Sequence, residues 1–201
     1  MTKVNQEFVQ QSFKGAINNY KKAVEEIALW ESEEYIFTKY FEKDKSILDL
    51  GCGTGRTTFA YVLFAFNGLM QIPKQENRIK AMKEIRRVLQ PGGIFVFTTH
   101  DRDADKKFLD FWEEEKKIWS RGEQDKRLYE FGDRIAKSKN EKRDIFIHIP
   151  DREEVLTCLE EADLICVEDF YRDDLFDESR EIKKFSGECR FWVVKKAPLP
   201  I

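Results

Sequence analysis

Ile47-Leu48-Asp49-Leu50-Gly51-Cys52-Gly53-Thr54-Gly55 is the stretch on which the reading of the fold turns. A short apolar strand, Ser46 to Leu50, runs straight into three glycines at alternate positions, the strand-then-glycine-loop order of an α/β nucleotide site. Glycine at 51, 53 and 55 removes side chains where the backbone must turn sharply and come close to a ligand. It also leaves main-chain N–H groups free to bind that ligand. A dinucleotide fingerprint G-x-G-x-x-G would place its third glycine at position 56, which is Arg56, so NAD and FAD are disfavoured.

The alternation of strand and helix continues beyond the loop. Phe59 to Phe66 is an unbroken apolar run bounded by Asn67-Gly68, which favours a buried strand, although Phe59, Val62, Leu63, Phe66 and Met70 also fit a helix after the glycine loop. Gln75 to Leu89 carries Ile79, Met82, Ile85, Val88 and Leu89 at helical spacing, and Pro91-Gly92-Gly93 stops that helix before a strand over Ile94 to Thr98. Asp105 to Ile135 holds Phe108, Phe111, Trp112, Ile118, Trp119, Leu128, Tyr129 and Phe131 among many charges, a pattern of one or two helices with an aromatic stripe. Asp151-x-x-Glu154 is a capping box opening a helix to about Glu161, between strands at Ile145 to Ile149 and Leu164 to Phe170. Cys189 to Lys195 supplies a last strand, and Arg172 to Lys184 reads as a polar, acid-rich loop.

Before the glycine loop, Ala16, Ile17, Tyr20, Ala23, Val24, Ile27 and Trp30 recur as one face of an amphipathic helix. Ser32 then reads as the N-cap of a second helix to about Phe41, the two forming an N-terminal cap. The whole divides as cap 1–45, cofactor-binding core 46–99, helical insert 100–143, and C-terminal helix and strands 144–201, within a single domain.

Bulk properties narrow the function classes. The longest apolar run is far below the roughly 18 to 20 residues that span a bilayer, and the first residues carry no secretory h-region, so a soluble, cytoplasmic protein without membrane contact is the expectation. Cys52, Cys158, Cys166 and Cys189 form no C-x-x-C pair, so no metal site is expected and the thiols read as reduced. Charges of both signs are mixed and net to −3, so no basic stripe indicates nucleic acid.

Taken together, the strand, the Gly51 to Gly55 loop, the Phe64 to Leu69 run and the Pro91-Gly92-Gly93-strand turn resemble a class I S-adenosylmethionine-dependent methyltransferase. The resemblance implies an α/β, Rossmann-like sheet, S-adenosyl-L-methionine as cofactor and a small-molecule methyl acceptor. It assigns cofactor contacts to Asp49, Gly51, Cys52, Gly53, Thr54 and Gly55, places Asn67 near the sulfonium end, and suggests that Tyr20 closes over the cofactor from the N-terminal cap. Phe64 to Leu69 stands for the fourth strand and its exit.

The chain departs from that pattern in length. One α/β unit takes roughly 30 residues or more, yet only about 36 residues lie between Gly55 and Gly92. The second and third strands, and the acid that would hold the ribose hydroxyls, have no counterpart, which reads as an internal deletion after the glycine loop. Such a sheet leaves its first strand as a hydrophobic edge that invites pairing with a second copy of the chain. An alternative follows: a degenerate, non-catalytic relative, or a shortened chain, with weak or no cofactor affinity.

Chemistry at such a site needs a nucleophile aligned with the carbon–sulfur bond and, for some acceptors, a base. His100 follows the strand ending at Thr98 or Thr99, at the carboxyl end where ligands lie in open α/β sheets, and is the base candidate. His148 alternates with Ile147 and Ile149 on a strand and reads as a solvent-side or hydrogen-bonded polar residue.

Overall fold

The computed structural model describes residues 3–14, 30–41, 63–64, 67–90, 92–137 and 144–197. Asp49, the Gly51 to Gly55 loop and Tyr20 lie outside the described residues, as do the strand over Ser46 to Leu50 and the apparent deletion beyond it. The described elements, in chain order, are α1 (Gln6–Lys14), α2 (Glu31–Tyr40), β1 (Leu63–Phe64), a 3-10 turn (Gly68–Gln71), α3 (Gln75–Val88), β2 (Ile94–Thr99) and a second 3-10 turn (Lys106–Phe108). They continue with α4 (Leu109–Ser120), β3 (Asp133–Lys137), β4 (Asp144–His148), α5 (Arg152–Glu161), β5 (Leu164–Tyr171), α6 (Arg172–Leu175), α7 (Arg180–Phe185) and β6 (Arg190–Lys196). Among the described residues no helix is long and apolar enough to cross a membrane.

A four-stranded sheet in the order β1-β2-β6-β5 forms the centre. β1 and β2 pair in parallel, Leu63 opposite Val96 and Phe64 opposite Phe97, and α3 makes the crossover between them. The segment at Leu63–Phe64 is therefore strand, and it builds with β2 the α/β unit expected after the glycine loop. β6 runs antiparallel to both β2 and β5, so β1, β2 and β5 point the same way and their carboxyl ends share one edge. Asn67, His100 and Arg172 follow those three ends.

Period-two alternation divides the core between the two faces of the sheet. Phe95, Phe97, Trp192 and Val194 pack with Met82, Ile85, Leu159 and Val155 under α3 and α5. Val96, Phe191 and Val193 face the other way, against Ile36 of α2. Phe97 stacks on Trp192 at 5.9 Å, and the buried Trp192 indole donates to Thr99 Oγ1 at 3.0 Å. α3 stops where expected: Leu89 leaves the helix in an extended conformation and Gly92 turns the chain at φ 75°.

Three local expectations are corrected. Ser32 sits inside α2 rather than capping it; the Glu178 carboxylate arrives from the α6–α7 segment and accepts from the N–H groups of Glu31 and Ser32 and from Ser32 Oγ. Arg172 to Lys184, read as a loop, forms α6 and α7 and buries Arg172, Glu178 and Ile182. Asp105 to Ile135 is helical only to Ser120; its last residues belong to β3, which pairs with β4 in a separate antiparallel hairpin. That hairpin straddles the boundary drawn between 143 and 144. α1 packs on it: Val4 is buried with Leu128 and Phe146, and the Tyr129 hydroxyl donates to the Val4 carbonyl at 2.7 Å.

Candidate functional site

Two sets of polar side chains gather at the shared carboxyl edge and beside it. The first lies on the strand ends themselves. Asn67 takes a left-handed conformation at φ 57°, which asparagine tolerates better than most residues. Its N–H donates to Thr98 Oγ1 at 3.2 Å and its carbonyl accepts from Met70, so the turn out of β1 is tied to β2. Asn67 is 7% exposed, yet its Oδ1 has no hydrogen-bond partner among the described residues. A buried acceptor left without a donor costs about 1–3 kcal/mol.

His100 Nδ1 lies 2.9 Å from the Glu188 carbonyl. A carbonyl only accepts, so Nδ1 carries the proton and Nε2 of the neutral ring presents its lone pair. Burial lowers the His100 pKa below its ordinary value of 6.5, and the positive charge of Arg172 lowers it further, against the opposing carbonyl bond. Next in sequence, Asp101 is taken up structurally: its carboxylate accepts from the Tyr171 hydroxyl and from Arg190 Nε, both at 2.9 Å. Burial and that carboxylate push the Tyr171 phenol up to about 12.

The second set is a buried charge network where the β3–β4 hairpin meets α3, α5 and the segment after β2. Fully buried His148 places Nδ1 2.9 Å from Asp133 Oδ1 and Nε2 2.5 Å from Glu154 Oε1. Asp133 Oδ2 accepts from the N–H groups of Tyr129 and Glu130. Arg78, 1% exposed, donates to Glu130, Glu154 and the Ile72 carbonyl. Arg102 donates to the Ile149 carbonyl, Asp151 and Glu154. Gly132, at φ 96°, passes so close that a Cβ there would lie 2.5 Å from Arg102 Nη1 and 2.8 Å from the Ile149 carbonyl, so only glycine fits. The expectation that His148 is a hydrogen-bonded polar residue holds.

Glu130, Asp133 and His148 have ligand-like spacing. Their polar atoms are already engaged by Arg78, by backbone N–H groups and by one another, so the arrangement is that of an ion-paired junction. The sequence reading missed Arg78, Arg102, Asp133 and Glu130. A signal existed for one of them: Arg78 falls on the same helical stripe as Met82, Ile85 and Leu89, where a charge is costly unless paired. The aromatic stripe is continuous through Phe131, which meets both Trp112 and Trp119 edge-on, and Trp119 and Tyr129 pack on the Val4, Leu128 and Phe146 cluster.

What fold and site define together is a mixed α/β protein whose parallel strands open on a polar edge carrying Asn67 and His100. No protein-family model matches the sequence, and no curated protein matches it significantly. Among the solved structures to which the fold is similar are three methyltransferases. One is an S-adenosylmethionine-dependent methyltransferase of Methanosarcina mazei (14% identity, TM-score 0.47, 67% of this chain and 57% of that one). A second is an S-adenosylmethionine-dependent methyltransferase of Clostridium acetobutylicum (11%, 0.41, 68% and 57%). A third is the CcbJ methyltransferase of Streptomyces caelestis (17%, 0.40, 67% and 59%). The chain thus spans less than two thirds of the length of each.

Proposed function

We propose that this chain binds S-adenosyl-L-methionine at the carboxyl edge of β1 and β2 and transfers its methyl group to a small-molecule acceptor. The observation that carries the reading is the buried Oδ1 of Asn67, without a hydrogen-bond partner among the described residues, at the exit of a parallel strand whose carboxyl end shares one edge with the strand end before His100. That oxygen fits the cofactor: a partial negative charge without a donor suits a cationic sulfonium, its polarised C–H groups or the ammonium of the methionine moiety. The Gly51 to Gly55 loop, with Asp49 before it, would supply main-chain N–H groups and a carboxylate to the rest of the cofactor, by the resemblance its sequence carries.

Bound there, the cofactor would supply an electrophilic methyl group to the acceptor's lone pair, with sulfur as the leaving group. This chain's residues do the remainder. Asn67 orients the cationic end, and Thr98 holds the Asn67 backbone in place. His100 Nε2 takes the acceptor's proton, its lone pair kept available by the Glu188 carbonyl at Nδ1.

Calorimetric titration with S-adenosylmethionine and S-adenosylhomocysteine tests the reading. Saturable binding abolished by Gly53→Val is expected; no heat and no thermal shift at millimolar ligand would leave the degenerate, non-binding alternative. Asn67→Gly separates ligand contact from folding. Glycine accepts the left-handed conformation and removes the orphaned oxygen, so the unliganded protein should be as stable or up to about 1 kcal/mol more stable. Affinity for S-adenosylmethionine should fall about tenfold or more, the equivalent of one charge-assisted contact. Unfolding midpoints with and without ligand measure both; unchanged affinity would remove Asn67 from the site.

A further inference from the structure

We propose that His148 is a proton-dependent latch which fastens the β3–β4 hairpin to α5 and, through the shared carboxylate of Glu154, to the Arg102 segment that follows β2. The inference goes beyond methyl transfer and does not depend on it, because it follows from hydrogen-bond stoichiometry. Both ring nitrogens face carboxylate oxygens, Asp133 Oδ1 on one side and Glu154 Oε1 on the other. A neutral imidazole has one N–H, so it can satisfy one of the two and must turn a lone pair on the other; only the imidazolium donates to both. The carboxylates are themselves committed as acceptors. Asp133 Oδ2 takes two backbone N–H groups and Glu154 Oε2 takes Arg102, so each carboxylate turns its remaining oxygen to the ring.

The surroundings of the ring close the account. The turn before β3 offers Glu130, β3 offers Asp133, α5 offers Asp151 and Glu154, α3 offers Arg78, and the segment after β2 offers Arg102. Lys74, before α3, lies over the Tyr129 ring, and Glu7 of α1, which packs on β4, is exposed. With the ring protonated, three cations (Arg78, Arg102, His148) face four carboxylates; without that proton, two cations face four. Burial pulls the ring's pKa down, but the bonds to Asp133 and Glu154 outweigh it and hold it above its ordinary 6.5. A raised folded-state value means that the latch is fully engaged below pH 6.5 and is lost as pH rises from there through the ring's own, higher midpoint. Release on the alkaline side frees the hairpin from α5 and slackens Arg102, two residues past His100.

The test uses the full chain, following the His148 ring nitrogens by nuclear magnetic resonance and hydrogen exchange of the β3 and β4 amides, from about pH 5.5 to about pH 9. Both ring nitrogens should be protonated at pH 6.5. After correction for intrinsic base catalysis, opening of the hairpin should rise about tenfold per pH unit above 6.5 and level off beyond the ring's own midpoint, while the β2–β6 amides stay protected. Glu154→Gln removes one charged acceptor and should move the ring's midpoint down and narrow that window; His148→Gln should make hairpin opening independent of pH. A ring that titrates at or below 6.5, or exchange that stays flat across its titration, overturns the latch. Should His148→Gln fail to fold, the wild-type comparison and Glu154→Gln decide the matter alone.

Discussion

Replacing Asp133 by alanine should lower the stability of the whole protein by about 3–5 kcal/mol, the range found when one partner of a buried ion pair is removed. For a chain of this length that corresponds to a fall of roughly 6–20 °C in Tm. The size follows from how much one side chain holds. Asp133 is fully buried, and its two oxygens serve His148 and the backbone N–H groups of Tyr129 and Glu130. Alanine would leave the half-buried N–H groups of Tyr129 and Glu130 without that acceptor and strand the His148 cation, whose side chain is fully buried. Asp133→Asn, which keeps an acceptor for the backbone, should cost clearly less. Glu113→Ala, which breaks an exposed pair with Lys116, should cost under about 0.5 kcal/mol. Urea unfolding of the three variants measures the ordering; an Asp133→Ala loss no larger than that of Glu113→Ala would mean that the network contributes nothing to the fold.

The same network marks the limit of what the sequence disclosed. The sheet was legible because it rests on short-range signals. Helical spacing at Ile79, Met82 and Ile85, the turn at Pro91-Gly92-Gly93 and the alternation of Phe95, Val96 and Phe97 each declare their structure within a few residues. The N-cap at Asp151 was legible for the same reason, and Asp151 accepts from Glu154 N at 2.9 Å, although the Glu154 side chain turns to His148, Arg78 and Arg102. Asp133 and His148 face each other across one hairpin, and Arg78 and Arg102 reach them from two other parts of the chain; no local period encodes a meeting of that kind. β3 was hidden for a further reason. Asp133-Arg134-Ile135-Ala136-Lys137 has few β-formers and follows an aromatic, charged helix, so its composition carries no strand signal; its pairing with β4 supplies what its own composition lacks. The strand end with His100 was found from topology alone, since a residue after a parallel strand stands where ligands bind. The orphaned oxygen of Asn67 could not be read from sequence, because whether a buried atom has a partner is a property of its packed surroundings.

His100→Ala should slow methyl transfer by about 10²–10⁴-fold if the ring acts as the base, the span general-base catalysis supplies. This rests on the proposed activity, and the assay is transfer of radiolabelled methyl from S-adenosylmethionine to whichever of a panel of phenols, thiols and amines the wild type methylates. A loss of rate alone would not distinguish a proton acceptor from a strut, since the ring also fastens the Glu188 segment to the end of β2. Three readouts do. The wild-type rate should fall on the acid side with a midpoint below 6.5, because burial and Arg172 both disfavour the imidazolium, and it should be flat above that point. The limb should vanish in His100→Gln, which can keep a hydrogen bond to the Glu188 carbonyl but offers no basic nitrogen. Added imidazole should restore part of the activity of His100→Ala and none of that of His100→Gln, whose side chain fills the space. The KM for S-adenosylmethionine should move little in either variant, since binding is assigned to Asn67 and the glycine loop. An acid limb that survives both substitutions would pass the role of base to another group and leave His100 a structural tie between β2 and β6.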